Sequence, residues 1–178
     1  MVMEIMIRKE HLSEDGLRKI VAIKAAMNLG PPPLSEKLKV AFPDVVPVER
    51  PKIETPKTVD PQWLAGFTDG EGSFIINIRA SKTHSVGFQV TLIFVIGQHK
   101  RDEKLLKLLI EYFDCGNIYK NRDAFYFRVT KYQDIVEKII PFFQKYPIRG
   151  VKALDFVDWC WAAELMKSKK HLTAEGLE

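Results

Sequence analysis

The sequence predicts an α+β domain: a four-stranded antiparallel sheet covered on one face by helices. Three observations predict it. Apolar and polar residues alternate over 73–79, 85–98 and 124–130. Helical spacing takes over at 102–113, 133–140 and 151–169. The patterns come in the order helix, two strands, helix, two strands, helices, with consecutive strands close enough to be hairpins.

Each element has its own signals. Residues 1–30 read as a helix with leading turns. Ser13 stands as N-cap, and Leu17, Ile20, Val21, Lys24 and Met27 follow at helical spacing. Asn28-Leu29-Gly30 ends it, and Pro31-Pro32-Pro33 forbids continuation. Residues 35–42 form a short amphipathic helix with Leu38 and Phe42 on one side. Pro43, Pro47, Pro51, Pro56 and Pro61 then mark an extended tether. The chain divides accordingly into a helical, proline-rich linker segment, 1–60, and a main domain, 61–178.

The domain opens with Asp60 as N-cap and Pro61 at the first helical position. Trp63, Leu64 and Phe67 make one side of this helix greasy, and Ala65, Gly66 and Gly70 leave another almost bare. In the first strand Phe74, Ile76 and Ile78 face the core, with Ser73, Ile75, Asn77 and Arg79 opposite. In the second, Phe88, Val90, Leu92, Phe94 and Ile96 alternate with Gly87, Gln89, Thr91, Ile93 and Val95. Leu105, Leu106, Leu109, Tyr112 and Phe113 carry the next helix. Two further strands flank Asn121-Arg122-Asp123, with Phe125, Phe127 and Val129 inside and Tyr126, Arg128 and Thr130 outside. Pro141 and Pro147 break the helical pattern after 133–140. The last helix presents Leu154, Val157, Trp161 and Leu165 at helical spacing.

Composition bounds the function. At 46% hydrophobic and 28% charged residues, the chain is that of a globular protein, long enough for one sizeable domain. No apolar run reaches the roughly 18–20 residues that span a bilayer, and the first twenty lack the apolar stretch of a signal peptide. Two cysteines, Cys115 and Cys160, are too few for a zinc site and fit an intracellular, reducing compartment. The net charge of +4 says less than its distribution. Stretches 73–101 and 116–131 hold eight basic residues (Arg79, Lys82, Lys100, Arg101, Lys120, Arg122, Arg128, Lys131) against one acid, Asp123. A basic surface confined to strand-like segments suits a phosphate backbone, and a twisted antiparallel ribbon is a shape that enters a DNA major groove.

An internal repeat joins the two ends. Met6, Lys9, His11, Leu12, Gly16 and Leu17 recur as Met166, Lys169, His171, Leu172, Gly176 and Leu177, with Ser13 matched by Thr173. The chain therefore reads as one period of a tandem duplication plus its overlap.

The densest chemistry lies in Leu64-Ala65-Gly66-Phe67-Thr68-Asp69-Gly70-Glu71-Gly72. A helix with a bare Ala/Gly side lets a second helix approach at backbone distance. Carboxylates at its C-terminus meet carbonyls that already carry partial negative charge, an arrangement a cation relieves. Carboxylate and carbonyl oxygens suit Mg²⁺ rather than Zn²⁺. His84 and His99 sit at a hairpin tip and a strand end, positions that suit surface or DNA contact better than general-base work.

This string resembles the motif of the LAGLIDADG homing endonucleases, with Phe67 in place of Leu and Glu71 in place of Asp. The flanks resemble the organellar, intron-encoded branch: Pro61-Gln62-Trp63, Ser73-Phe74, Val95-Ile96-Gly97-Gln98-His99 with Arg101-Asp102, and Phe127-Arg128-Val129-Thr130-Lys131. So do Ile140-Pro141-Phe142-Phe143, Tyr146-Pro147-Ile148 and His171-Leu172-Thr173. The chain is similar to the linker plus the C-terminal half of a two-motif enzyme, and 61–178 to its endonuclease domain.

The resemblance implies a mechanism. Two motif helices pack across a twofold or pseudo-twofold axis, here through Leu64, Ala65, Gly66, Thr68 and Asp69. Their terminal acids bind divalent metal, here Glu71 with the Gly70 carbonyl. The metal would be Mg²⁺, with Ca²⁺ able to support binding without cleavage. Gln98 and Lys131 would sit around the attacking water and the scissile phosphate. Asp69 matches an earlier, structural acid. The sheet would contact DNA through Ser73, Ile75, Asn77, Arg79, Lys82, Gln89, Thr91, Ile93, Lys120, Arg122, Tyr126 and Arg128. The expected function is site-specific cleavage of double-stranded, near-palindromic DNA by a homodimer in an organelle, the mitochondrion, with no membrane partner.

Two alternatives compete: a non-cleaving, maturase-like DNA- or RNA-binding module, and a catalytically poor half serving as a dimeric scaffold. The sequence also departs from the family pattern. Gly97 stands where Thr or Ser is usual, and Ile93 and Val95 are apolar where base-reading side chains are expected.

Overall fold

The computed structural model describes residues 2–27, 34–49, 56, 58–84 and 86–173. It divides into two compact units, Met1–Glu54 and Thr55–Glu178. The expected helix end at Asn28-Leu29-Gly30, the run Pro31–Pro33, Pro51, and the end of the repeat at Gly176 and Leu177 lie outside the described residues. Among the described residues no helix is long and apolar enough to cross a membrane.

In the first unit the expected single helix is two. Helix α1 (Val2–Ile7) runs through a left-handed Lys9 and a 3₁₀ turn, Glu10–Leu12, into α2 (Glu14–Ala26). Ser13 caps α2 by accepting from the Gly16 amide at 3.1 Å. Ser35 caps α3 (Glu36–Ala41), which is shorter than 35–42 because Phe42 leaves the helical region. Leu38, Phe42 and Val45 close over Val21, Ala25 and Leu34 as a small core.

The second unit holds the sheet, in strand order β1-β2-β4-β3, all antiparallel: β1 (Gly72–Ala80), β2 (Phe88–His99), β3 (Asn117–Asn121) and β4 (Ala124–Val129). Helices α4 (Pro61–Glu71), α5 (Glu103–Phe113) and α8 (Lys152–Lys167) pack with it. Leu64, Leu92, Phe94, Ile96, Leu106, Leu109, Phe127, Val129, Ile135, Ile139, Phe143 and Trp159 form one core. Phe74 stacks on Phe94 and meets Phe143, Phe156 and Trp159 edge-on or tilted, while the Trp159 indole donates to the Ile75 carbonyl at 3.2 Å.

Three expectations change. Pro141 does not break its helix: α6 (Tyr132–Asp134) passes through a π turn, Ile135–Ile139, into α7 (Ile140–Lys145). The wider turn sits where a proline ring would otherwise crowd the preceding carbonyls. In α8 the period is right and the face is wrong. Phe156, Trp159, Ala163 and Met166 pack inward, and Leu154, Val157 and Trp161 face outward, Trp161 70% exposed. Both stripes are apolar, so hydrophobicity alone could not choose between them. Finally, Ile76 and Ile78 share Phe74's side of β1 but remain exposed, because β1 outruns its helical cover.

The repeat has a structural counterpart. Lys9 and Lys169 are both left-handed, at φ 57° and 58°, and Ser13 and Thr173 are both extended at ψ 155°. Their hydroxyls donate to the Glu10 and Lys170 carbonyls at 2.7 and 2.8 Å.

Candidate active site and nucleic-acid interface

The motif helix is held rigidly at both ends. Asp60 accepts from the Trp63 amide at 2.7 Å and Pro61 sets the first turn. Leu64 and Thr68 are fully buried within the domain, so neither presents its side chain to a partner. Ala65, at 3% exposure, is likewise an inward residue and does not belong to the bare side. That side narrows to Gly66 and Gly70, where an added β-carbon would meet nothing within 4 Å.

The helix passes without a loop into β1, so Glu71 is its last residue and Gly72 the first of the strand. The two acids part company here. Asp69 accepts from the Gly150 amide at 2.7 Å, and a β-carbon at Gly150 would lie 2.5 Å from Asp69 Oδ1. Asp69 thus ties α4 to the turn before α8 rather than lying free for a second helix. Glu71 is exposed and makes no hydrogen bond or ion pair among the described residues. A free carboxylate at a helix C-terminus, beside the Gly70 carbonyl, is a donor set that fits a hard divalent cation. One chain supplies one such acid: among the described residues no cluster of three His, Cys, Asp or Glu could hold a metal.

The cation the structure does place here is Lys152. Its Nζ donates to the Thr68 carbonyl at 3.0 Å and the Asp69 carbonyl at 2.6 Å. It occupies those two carbonyls and leaves those of Gly70 and Glu71. Sequence reasoning missed it, although a signal existed. Lysine in the first turn of a helix is as misplaced electrostatically as carboxylates in the last turn. α8 begins at Lys152, and the two misplacements answer each other.

Strand register places the other candidates. Gly72 lies opposite Ile96 and antiparallel to it, so Gln98 extends toward the end of the sheet where Glu71 stands. Gln98 pairs with Phe125 and is half-buried. Lys131 is not brought to that end. Phe127 lies opposite Ile96 and Lys131 follows four residues on, in the opposite direction, with Nζ 3.7 Å from Asp134 Oδ1.

The outer face of the sheet carries one register set. Ser73, Val95, Arg128 and Asn117 form a rung; Ile75 pairs with Ile93, Asn77 with Thr91, Arg79 with Gln89, and Tyr126 with Tyr119. Asn117 and Tyr119 were not among the expected contacts. Lys120 was, but it pairs with Phe125 in the opposite, core-side register. Ile93 is only 5% exposed, so its apolar neighbours and not a groove occupy it. Lys82 sits at the β1–β2 tip and Arg122, at φ 52°, at the β3–β4 tip. Among the described residues no acid belongs to this face. Asp123, in the turn, accepts from the Lys100 ammonium at 2.7 Å, which holds its carboxyl below the usual range.

Comparison with known proteins agrees with this geometry. The family described as LAGLIDADG endonuclease matches residues 64–163. The chain is 42% identical to Probable intron-encoded endonuclease 3 of Neurospora crassa, over 95% of this chain and 32% of that protein. It is 40% identical to Probable intron-encoded endonuclease 2 of the same organism, over 99% of this chain and 39% of that protein. The chain thus spans about a third of the length of these relatives. Among solved structures, I-SmaMI bound to uncleaved DNA in the presence of calcium ions is 49% identical with a TM-score of 0.93. It matches over 99% of this chain and 60% of that one. I-LtrWI bound to target DNA is 42% identical with a TM-score of 0.90, over 99% and 58%. The motif helix that runs straight into the first strand of a four-stranded antiparallel sheet is therefore the family's own, and the chain belongs to the LAGLIDADG endonucleases.

Proposed function

We infer that this chain is the cutting unit of a site-specific, metal-dependent double-strand DNA endonuclease, paired with a second motif-bearing domain through α4. The observation that carries it is Glu71: an exposed, unpaired carboxylate where the motif helix meets an acid-free, basic sheet face. The DNA-bound states named for I-SmaMI and I-LtrWI support a duplex substrate, and the calcium in one supports divalent-metal dependence. The relatives' names, intron-encoded, support an organellar origin.

Glu71 and the Gly70 carbonyl, with their counterparts in the paired domain, would hold the divalent ion. Bound there, Mg²⁺ supplies Lewis acidity on the phosphate and an acidified water. The chain's residues do the rest. The buried anchors Leu64 and Thr68 fix where the carboxylate stands. Lys152 offsets the negative end of α4 and brings positive charge toward the scissile phosphate. Gln98, which has no useful pKa, can orient water. Lys131 has no part in this arrangement.

The homodimer and a covalent repeat are two forms of the same pairing. The matched geometry at Lys9–Ser13 and Lys169–Thr173 favours a paired domain of the same descent. The chain should cut a palindromic duplex selected from a randomised library in magnesium and only bind it in calcium. Glu71→Gln should bind in calcium and lose cleavage by at least about 100-fold. Cleavage by Glu71→Gln at the parent rate would remove the nuclease assignment. Binding without cleavage by the parent would favour the non-cleaving module.

A further inference from the structure

Resting on that reading of the sheet as the DNA face, we propose that Arg128 reads a guanine near the cut, presented by Tyr119, Tyr126 and Gly97. Arg128 lies on β4, an inner strand, in the rung that begins at Ser73, just past the motif helix. It makes no hydrogen bond or ion pair among the described residues, and its Nε is buried without a partner. Several other basic groups already have an acid: Arg18 has Glu14 and Asp44, Lys100 has Asp123, and Lys138 has Asp114. Leaving a half-buried guanidinium unpaired costs free energy unless a partner arrives from outside.

The neighbours explain how it is held. The guanidinium carbon lies 5.9 Å from the centre of the Tyr119 ring, a cation–π platform. Tyr126 is Tyr119's cross-strand partner and would compete for that space. It lies instead over β2, where a β-carbon at Gly97 would be 2.8 Å from its Cε1. Glycine at 97 therefore makes the room that leaves Tyr119 to Arg128. With Nε closed off, the remaining donors are Nη1 and Nη2, the planar fork that matches guanine O6 and N7. The flanking Val95 and Ile93 offer no donor or acceptor of their own. The tips, Lys82 and Arg122, are better placed for phosphates, since Arg128 sits on the sheet's interior and faces the groove floor.

The test is a base-preference profile of the full chain on a randomised duplex library in calcium, without cleavage. The parent should select guanine at one position per half-site beside the cut. Arg128→Lys keeps the charge and loses the fork, so guanine preference should fall about tenfold at that position alone, with the salt slope unchanged. Tyr119→Leu and Gly97→Ala should relax the same position to a smaller degree. A uniform loss across sequences in Arg128→Lys would make it a phosphate clamp and overturn the proposal. So would an unchanged profile. If the parent prefers no sequence, the site-specific reading itself fails, a result distinct from a selective parent with an unaltered variant.

Discussion

A lysine at the first position of a helix stands at the wrong end of that helix's dipole, and Lys152 stands there because it serves another helix. Its bonds to the Thr68 and Asp69 carbonyls put it behind the exposed Glu71. Lys152→Met keeps the stem and removes the charge. Single-turnover cleavage should fall by about 100-fold or more, the usual cost of one electrostatic stabiliser. Binding in calcium should change little. Lys131→Met should cut like the parent, because Asp134 is its neighbour and the motif helix is not. The reverse result would restore Lys131 to the site. The contrast shows what one dimension conceals: both acids were legible from the motif, whereas Lys152 lies on a different helix and only the fold brings it to Asp69. The thiols are quieter. Burial pushes Cys115 and Cys160 up to about 11, so both stay protonated at neutral pH. Iodoacetamide should label them slowly in the native protein and quickly in urea; rapid native labelling would contradict that burial.

At the scale of elements, alternation and helical period located every strand and most helices of the domain, because one buried face imposes the period directly. Phase was less legible. In α8 two apolar stripes compete, and only the aromatic cluster at Phe74 and Phe143 selects Phe156 and Trp159. Similarly, Ala65 reads as part of a bare stripe in sequence but turns inward with Leu64 and Thr68. What remains bare in α4 is Gly66 and Gly70, and this makes a sharp test. Gly66→Leu has open space within the chain, so the isolated domain should fold as well as before. Replacing glycine in an exposed helix interior should even add about 0.5–1 kcal/mol. The same leucine would hold two motif helices apart. Sedimentation should show association weakened while dilute-solution melting is unchanged or higher. Unchanged association would mean that α4 is not the pairing surface.

At the scale of the molecule, charge is segregated by sheet face, and this is the part of the function that composition shows earliest. The strand segments carry eight basic residues against one acid, while the chain as a whole is only +4. The fold then sorts those eight in ways a count cannot. Lys100 is tied to Asp123, Arg101 to Asp102, Lys131 to Asp134, and Lys120 falls in the core-side register. Arg79, Lys82, Arg122 and Arg128 remain for the duplex, so the counterions released should be fewer than the raw excess implies. Arg128 aside, as the base reader, two paired domains offer about six phosphate-facing cations, which would give a steep log–log slope, and affinity should drop by roughly 10³-fold between 50 and 200 mM salt. Neutralising Lys82 or Arg122 should lessen that slope by about one per domain. Neutralising Lys100 should leave it nearly unchanged, because its charge is already answered by Asp123. An affinity that scarcely responds to salt, or a slope that responds to Lys100 as strongly as to Lys82, would show that the basic face of the sheet is not where DNA lies.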